Sequence, residues 1–423
     1  MLQLLRFRRT QKRLLLSVLP LAMLLAVAGP SCTQTAACAC LDGAEAVTLV
    51  LPVDTVHNDQ LLESWQAYRD RFIQADGRVI DREDSDRTVS EGQAYAMLRA
   101  VAINDPDTFN RTYTWAKANL VRVDENGQPK DLLWAWKWGQ RPDGSWGDLD
   151  ANFATDADID AATALIMAAE RWNCPKYLDE ARALLADIWE YGTVELPDGT
   201  RQLIPGPAED FRLEPAQIIL NPSYFAPASF RLFAEVDPDR DWQSLIDSGY
   251  ALLDDLSEFS TTGLPPDWIA YTPATGTYRQ LPLDYPLQSR YSFDAFRVWW
   301  RVSQDAAWFN EPRAQAYLEA RLPELIRRWQ QEGRLPARLT LDGGAQASYE
   351  ATAHYAMLYP ALLRVDAAIA NEILTTKLQP AYSDGFWDSD IAYYTQNLAW
   401  FGLLPLEVSP DRIAASHEQA CRP

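Results

Sequence analysis

Histidine is nearly missing from this chain. His57, His354 and His417 are the only three, and none stands at a metal-ligand spacing. A zinc site is therefore not expected, and no other metal or cofactor is implied. Cysteine is also sparse. Cys32, Cys38 and Cys40 crowd into "CTQTAACAC", which leaves Cys174 and Cys421 as a pair that an oxidising compartment would allow to bond. Positive charge is short as well: 38 Lys and Arg stand against 59 Asp and Glu, for a formal charge of −21. With no basic patch beyond the N-terminus, such a surface repels nucleic acid and anionic polymers. It leaves a neutral or cationic partner. No repeat of fixed length is visible, so a simple solenoid array is excluded.

Aromatic residues are abundant, with 16 Trp and 18 Tyr, and 48% of the 423 residues are hydrophobic. That content can bury a sizeable core and rules out a disordered chain. Flat aromatic faces beyond the needs of a core suit stacking on sugar rings. At the N-terminus, Arg6, Arg8, Arg9, Lys12 and Arg13 precede the apolar run "LLLSVLPLAMLLAVA" and then small residues. Residues 1–28 thus read as a secretory signal, with Ala26-Val27-Ala28 as a cleavage site, or as an uncleaved membrane anchor. Either places the protein outside the cytoplasm, secreted or periplasmic. Residues 29–54 read as a linker.

From about residue 55 the apolar spacing is helical. It predicts about twelve helices, near 59–75, 90–103, 107–121, 157–172, 176–191, 222–235, 241–255, 292–304, 313–330, 346–362, 366–377 and 391–403. Long loops at 122–155, 192–221 and 256–291 are expected to be functional or to carry small strands. Three acids fall at expected helix starts. Glu91 follows Ser90, read as the cap, in "RTVSEGQAYAM"; Asp156 lies in "FATDADIDAATALIMAAERW"; Asp294 lies in "YSFDAFRVWWRV". Singly, each acid is best explained by capping and the helix dipole. Together, on helices whose N-termini share one rim, they could converge.

Four segments, "SEGQAYAM", "ATDADIDAATALIMAAERW", "NPSYFAP" and "YSFDAFRVWWR", resemble in order those of glycoside hydrolase family 8, the bacterial endoglucanases formerly called cellulase family D. The resemblance spans about residues 55–405, with 406–423 left as a C-terminal tail. It implies an all-α fold, an (α/α)6 barrel of six helical hairpins, in agreement with the helix count. It implies Glu91 as proton donor, Asp294 as the base that activates water, and Asp156 as the acid that holds and distorts the sugar. Tyr224 matches a residue that positions the water, and Arg297 an arginine near the base. Trp136 resembles a sugar-stacking residue, with Trp134 and Trp138 competing for that role.

The resemblance further implies inversion at the anomeric carbon of a β-1,4-glucan, cellulose first, cut internally. Mixed-linkage β-glucan, xylan and chitosan are rival substrates within the family. The setting is degradation or trimming within a cellulose-producing system. A non-catalytic carbohydrate-binding protein would keep the aromatics without the acids, an all-α scaffold would need neither, and a lyase would call for basic residues and a Tyr/His pair.

Overall fold

The structure is a computed structural model that describes residues 48–213 and 216–413. The expected signal or anchor over 1–28, most of the expected linker, and Cys32, Cys38, Cys40 and Cys421 lie outside the described residues. Cys174 is the one cysteine described, and it is disulfide-bonded. No helix among the described residues is long and apolar enough to cross a membrane.

Thirteen α-helices run through the described residues. The first six are α1 (Asn58–Phe72), α2 (Ser90–Ala102), α3 (Pro106–Asn119), α4 (Thr155–Arg171), α5 (Pro175–Tyr191) and α6 (Pro227–Val236). They are followed by α7 (Trp242–Phe259), α8 (Arg297–Trp308), α9 (Pro312–Arg321), α10 (Pro323–Glu332), α11 (Thr352–Val365), α12 (Ala367–Ile373) and α13 (Tyr393–Leu403). One more helix forms than the sequence predicts. Pro323, which has no N–H to give, divides the expected 313–330 helix into α9 and α10.

Helices that are apolar all round must be enclosed on every side. Every residue of α2 except Glu91, and every residue of α4 except Glu170, is buried. These two belong to an inner ring in which α2 packs on α4, α4 on α6, α6 on α8, α8 on α11, α11 on α13, and α13 closes on α2. Outside it, α3 lies on α2, α5 on α4, α7 on α6, α9 on α8, α12 on α11 and α1 on α13. Six hairpins thus close into an (α/α)6 barrel. The inner helices approach closely: a Cβ built on Gly402 of α13 would sit 2.1 Å from the Ala356 carbonyl oxygen of α11. Gly402→Ala is accordingly expected to cost about 1–3 kcal/mol in urea unfolding. A midpoint equal to the native one would show that the two helices can separate freely.

Side-chain capping within the two rings is confined to the outer one, where α1 and α5 also lack it. The side chains of Asp105, Asp241, Glu311 and Asp366 cap the outer helices α3, α7, α9 and α12. None of the six inner helices has a side-chain N-cap bond. Ser90 is therefore not the cap expected of it. Val89 holds that position in extended backbone, and Ser90 is buried in the first turn.

The two rims also differ. Inner helices hand over to outer ones through short turns at 103–105, 172–174, 237–241 and 309–311, and at Asp366 alone. Outer helices return to inner ones through 73–89, 120–154, 192–226, 260–296, 333–351 and 374–392. The long returns carry small strands, as expected. An antiparallel sheet joins β1 (Thr88–Val89), β2 (Val121–Val123), β3 (Pro129–Gln140) and β4 (Trp146–Phe153). A hairpin pairs β5 (Thr193–Glu195) with β6 (Arg201–Leu203). A second sheet runs β10-β9-β8-β7, from β7 (Arg212–Leu213), β8 (Gln217–Leu220), β9 (Ile269–Thr272) and β10 (Thr277–Arg279).

The described end of the expected linker is packed down. Val50 N–H donates to Ile103 O at 2.9 Å, and Leu51 is buried. Beyond residue 405, Val408 and Ile413 pack into the main core, so the first part of the expected tail belongs to the barrel.

Candidate active site

The long-return rim gathers the residues that the sequence singles out. Glu91 and Asp156 are the second residues of α2 and α4. Asp294 does not open its helix, as expected, but stands in a turn three residues ahead of Arg297, the first residue of α8. The Asp267 carboxylate holds that turn, accepting the N–H of Ser292 at 3.0 Å and of Ala295 at 2.9 Å, together with the Ser292 hydroxyl.

Four of these side chains meet. Arg297 Nη1 donates to Glu91 Oε1 at 2.5 Å and to Asp156 Oδ2 at 2.8 Å. Its Nη2 donates to Asp294 Oδ1 at 2.9 Å and to Ser223 Oγ at 3.0 Å. Three carboxylates far apart in sequence therefore share one buried guanidinium, whose planar fork suits such simultaneous pairing. Exposure sorts them. Glu91 keeps 18% of its side-chain surface open and Asp294 33%, against 5% for Asp156. The first two face outward across Arg297, and the third supports from within, with Oδ1 bonded to the Ala157 N–H at 2.9 Å.

Aromatic hydroxyls and an indole complete the setting. Tyr95 OH donates to Glu91 Oε1 at 3.2 Å, and Tyr393 OH to Oε2 at 3.4 Å. Trp268 Nε1 donates to Asp294 Oδ2 at 3.1 Å. Tyr224, in the one-turn helix Pro222–Tyr224, lays its ring 5.4 Å from the Arg297 guanidinium carbon and edge-on to Trp268. The tryptophans of β3 separate. Trp134 is 3% exposed and packs in the core, so it offers no face to a sugar; its backbone N–H donates to Asp158 Oδ1 at 3.0 Å. Trp136 is half-buried, with Lys137 Nζ 5.5 Å from its ring. Trp138 stacks on Trp146, which is 49% exposed, at 5.2 Å.

Residues 37–406 match the model of glycosyl hydrolases family 8. The chain belongs to that family. It is 35% identical to an endoglucanase of Pseudomonas fluorescens over 236 residues, 56% of this chain and 58% of that one. It is 31% identical to an endoglucanase of Salmonella typhi, over 80% of this chain and 85% of that one. Among solved structures, an endo-1,4-D-glucanase from Vibrio fischeri superposes with a TM-score of 0.67 at 28% identity, covering 80% of this chain and 93% of that one.

In this family 8 hydrolase the two outward carboxyls sit in low-dielectric surroundings. Burial pushes Glu91 up to about 7, with Asp156 and Asp294 adding to the rise while Arg297 and the Tyr95 hydrogen bond oppose it. The lowering expected of a helix N-terminus is outweighed. Burial also raises Asp294, against Arg297 and the Trp268 hydrogen bond, both of which favour its ionised form. Asp267, Trp268, Ser223, Tyr95 and Tyr393 escaped the sequence reading as site residues. Ser223 and Tyr95 had a local signal, since they lie inside "NPSYFAP" and "SEGQAYAM".

Proposed function

We propose that this family 8 hydrolase is an inverting endo-β-1,4-glucanase in which Glu91 is the general acid and Asp294 the general base. The observation that carries the reading is the single guanidinium holding Glu91 and Asp294 on its two terminal nitrogens. The two oxygens are thus held across one guanidinium, at 2.5 Å from Nη1 and 2.9 Å from Nη2; inversion, which calls for carboxyls about 6.5–9.5 Å apart, is what membership of family 8 implies.

In the proposed step, Glu91 gives its proton to the glycosidic oxygen as the bond from that oxygen to the anomeric carbon breaks. Water forms the new bond from the opposite face and passes a proton to Asp294. Asp156 holds and distorts the sugar, and Tyr224 helps to position the water. Trp136 and the Trp138–Trp146 pair offer stacking surface to an extended, neutral chain. The endoglucanase relatives support cellulose as first substrate. The disulfide at Cys174 supports export to an oxidising compartment, for degradation or for trimming within a cellulose-producing system.

NMR of fresh cellopentaose hydrolysate should show the α-anomer first; initial β-anomer would reject inversion. Parallel reducing-sugar assays should rank carboxymethylcellulose above lichenan, xylan and chitosan. Because the acid must carry its proton, kcat/KM should fall as pH rises through about 7, the value to which burial brings Glu91.

A further inference from the structure

Two adjacent residues, Asp267 and Trp268, clamp the turn that carries Asp294. The Asp267 N–H donates to Arg290 O at 2.6 Å, and its carboxylate takes the N–H groups of Ser292 and Ala295, on either side of Asp294. Trp268 then reaches the side chain, its Nε1 donating to Asp294 Oδ2 at 3.1 Å. One dipeptide thus holds both the backbone and the carboxyl of the same residue. The indole is itself braced. Phe211 stacks on it with centroids 5.9 Å apart and planes 11° from parallel, and Tyr224 meets it edge-on at 5.9 Å.

Each oxygen of the Asp294 carboxylate therefore holds a donor, Arg297 Nη2 on Oδ1 at 2.9 Å and the indole on Oδ2. The guanidinium is shared with Glu91, Asp156 and Ser223, whereas the indole N–H is spent on Asp294. A carboxylate oxygen accepts more than one bond, so these donors leave room for a proton from water. With 33% of its surface exposed, the Asp294 side chain is within reach of that water. Held at one oxygen only, the carboxyl could turn about its bond to Cβ and carry the accepting lone pair off the line of attack.

We propose that Trp268 is a positioning residue, whose indole N–H locks the Asp294 carboxylate in the orientation that receives the proton of the attacking water; the assignment rests on Asp294 being the base. The same bond favours the ionised carboxyl against the burial that raises it. The other charged and titratable groups facing Asp294 are Arg297, Asp156, Glu91, Asp267 and the hydroxyls of Tyr224 and Tyr394. Trp268→Phe alters none of them.

That variant loses the N–H and keeps a ring between Phe211 and Tyr224. On cellopentaose its kcat should fall about 10–100-fold with KM within threefold, as for a misplaced reacting group. The acidic limb of its pH profile should move to higher pH, because a base without its donor ionises later. Trp268→His makes the opposite exchange: imidazole Nε2 stands where the indole nitrogen stood, and the outer ring is lost. It should turn over at least fivefold faster than Trp268→Phe. A smaller difference, a Trp268→Phe kcat within threefold of native, or an unmoved acidic limb each overturns the proposal. The native protein gives a reading that no variant's folding can spoil. With ¹⁵N-labelled tryptophan, the indole N–H resonance that Trp268→His removes should shift along the acidic limb, and a signal constant across it rejects the bond to the base. Asp294→Ala is measured alongside. Activity retained there rejects the base itself, whereas an inactive Asp294→Ala beside a fully active Trp268→Phe rejects only the role of Trp268.

Discussion

Glu91→Gln is expected to give a folded protein that binds cellopentaose and turns it over about 10²–10⁴-fold more slowly, the usual worth of a general acid. The substitution keeps shape. A glutamine oxygen in the place of Oε1 can still accept from Arg297 and Tyr95, and its nitrogen in the place of Oε2 can donate to the Tyr393 hydroxyl. It cannot release a proton to a leaving oxygen. Titration calorimetry should therefore return a dissociation constant within a few-fold of native while kcat collapses, and turnover within tenfold of native would remove Glu91 from the reaction. A second readout is thermal stability. Glu91 is held near 7 in the folded state against an ordinary 4.5, so the native protein keeps this proton longer than the unfolded chain does. The stability gained from that retained proton is complete below the lower value and is lost as pH rises through the upper one. Glutamine does not titrate. The variant should melt above native at pH 8, with the gap closing towards pH 4.

Arg297→Met should be the most damaging single change at the rim. It leaves Glu91, Asp156 and Asp294 facing one another without their shared cation. Removing one partner of a buried ion pair typically costs about 3–5 kcal/mol, and here three anions lose the same partner. Urea unfolding at pH 7 should register a loss of that order, with turnover falling at least as far as in Glu91→Gln. Arg297→Lys should not restore it, because a point charge on a flexible stem cannot replace a fork that bonds three carboxylates and Ser223 at once. The pH profile should move in a defined direction. Arg297 lowers the pKa of both Glu91 and Asp294, so in any residual activity both limbs should shift to higher pH. A stable Arg297→Met protein with unmoved limbs would mean that the guanidinium is not what holds the carboxyls.

The barrel was legible because helical runs rich in small apolar residues, such as that of α4, recur along the chain between polar starts. Boundaries were less so. The expected starts near 292 and 346 lie several residues before α8 and α11, since polar turn residues precede the first hydrogen-bonded turn in each case. The site was legible where a helix start carries its chemistry in a short segment: Glu91, Asp156, Tyr224 and Arg297 all lie in quoted motifs. Asp267 and Trp268 come from a return loop more than 20 residues before Asp294 and act through a backbone turn and an indole N–H. Nothing in local periodicity reports such a bond. Trp134 failed for the opposite reason. Three alternating tryptophans on β3 look alike in sequence, and only the packing of that strand decides which of them is sealed inside.

The unequal rims carry one more consequence. Glu91 and Asp156 are anchored in helices buried almost throughout and Asp294 in the turn before α8, while the walls around them are built from strands and return loops. A chain laid out in this way can gain or lose a piece of wall away from Asp267 and Trp268, and so lengthen, narrow or bend the path along the rim, without moving Glu91 or Asp156. The opposite face grants no such licence: its turns are too tight to absorb an insertion without prising a hairpin from its neighbour.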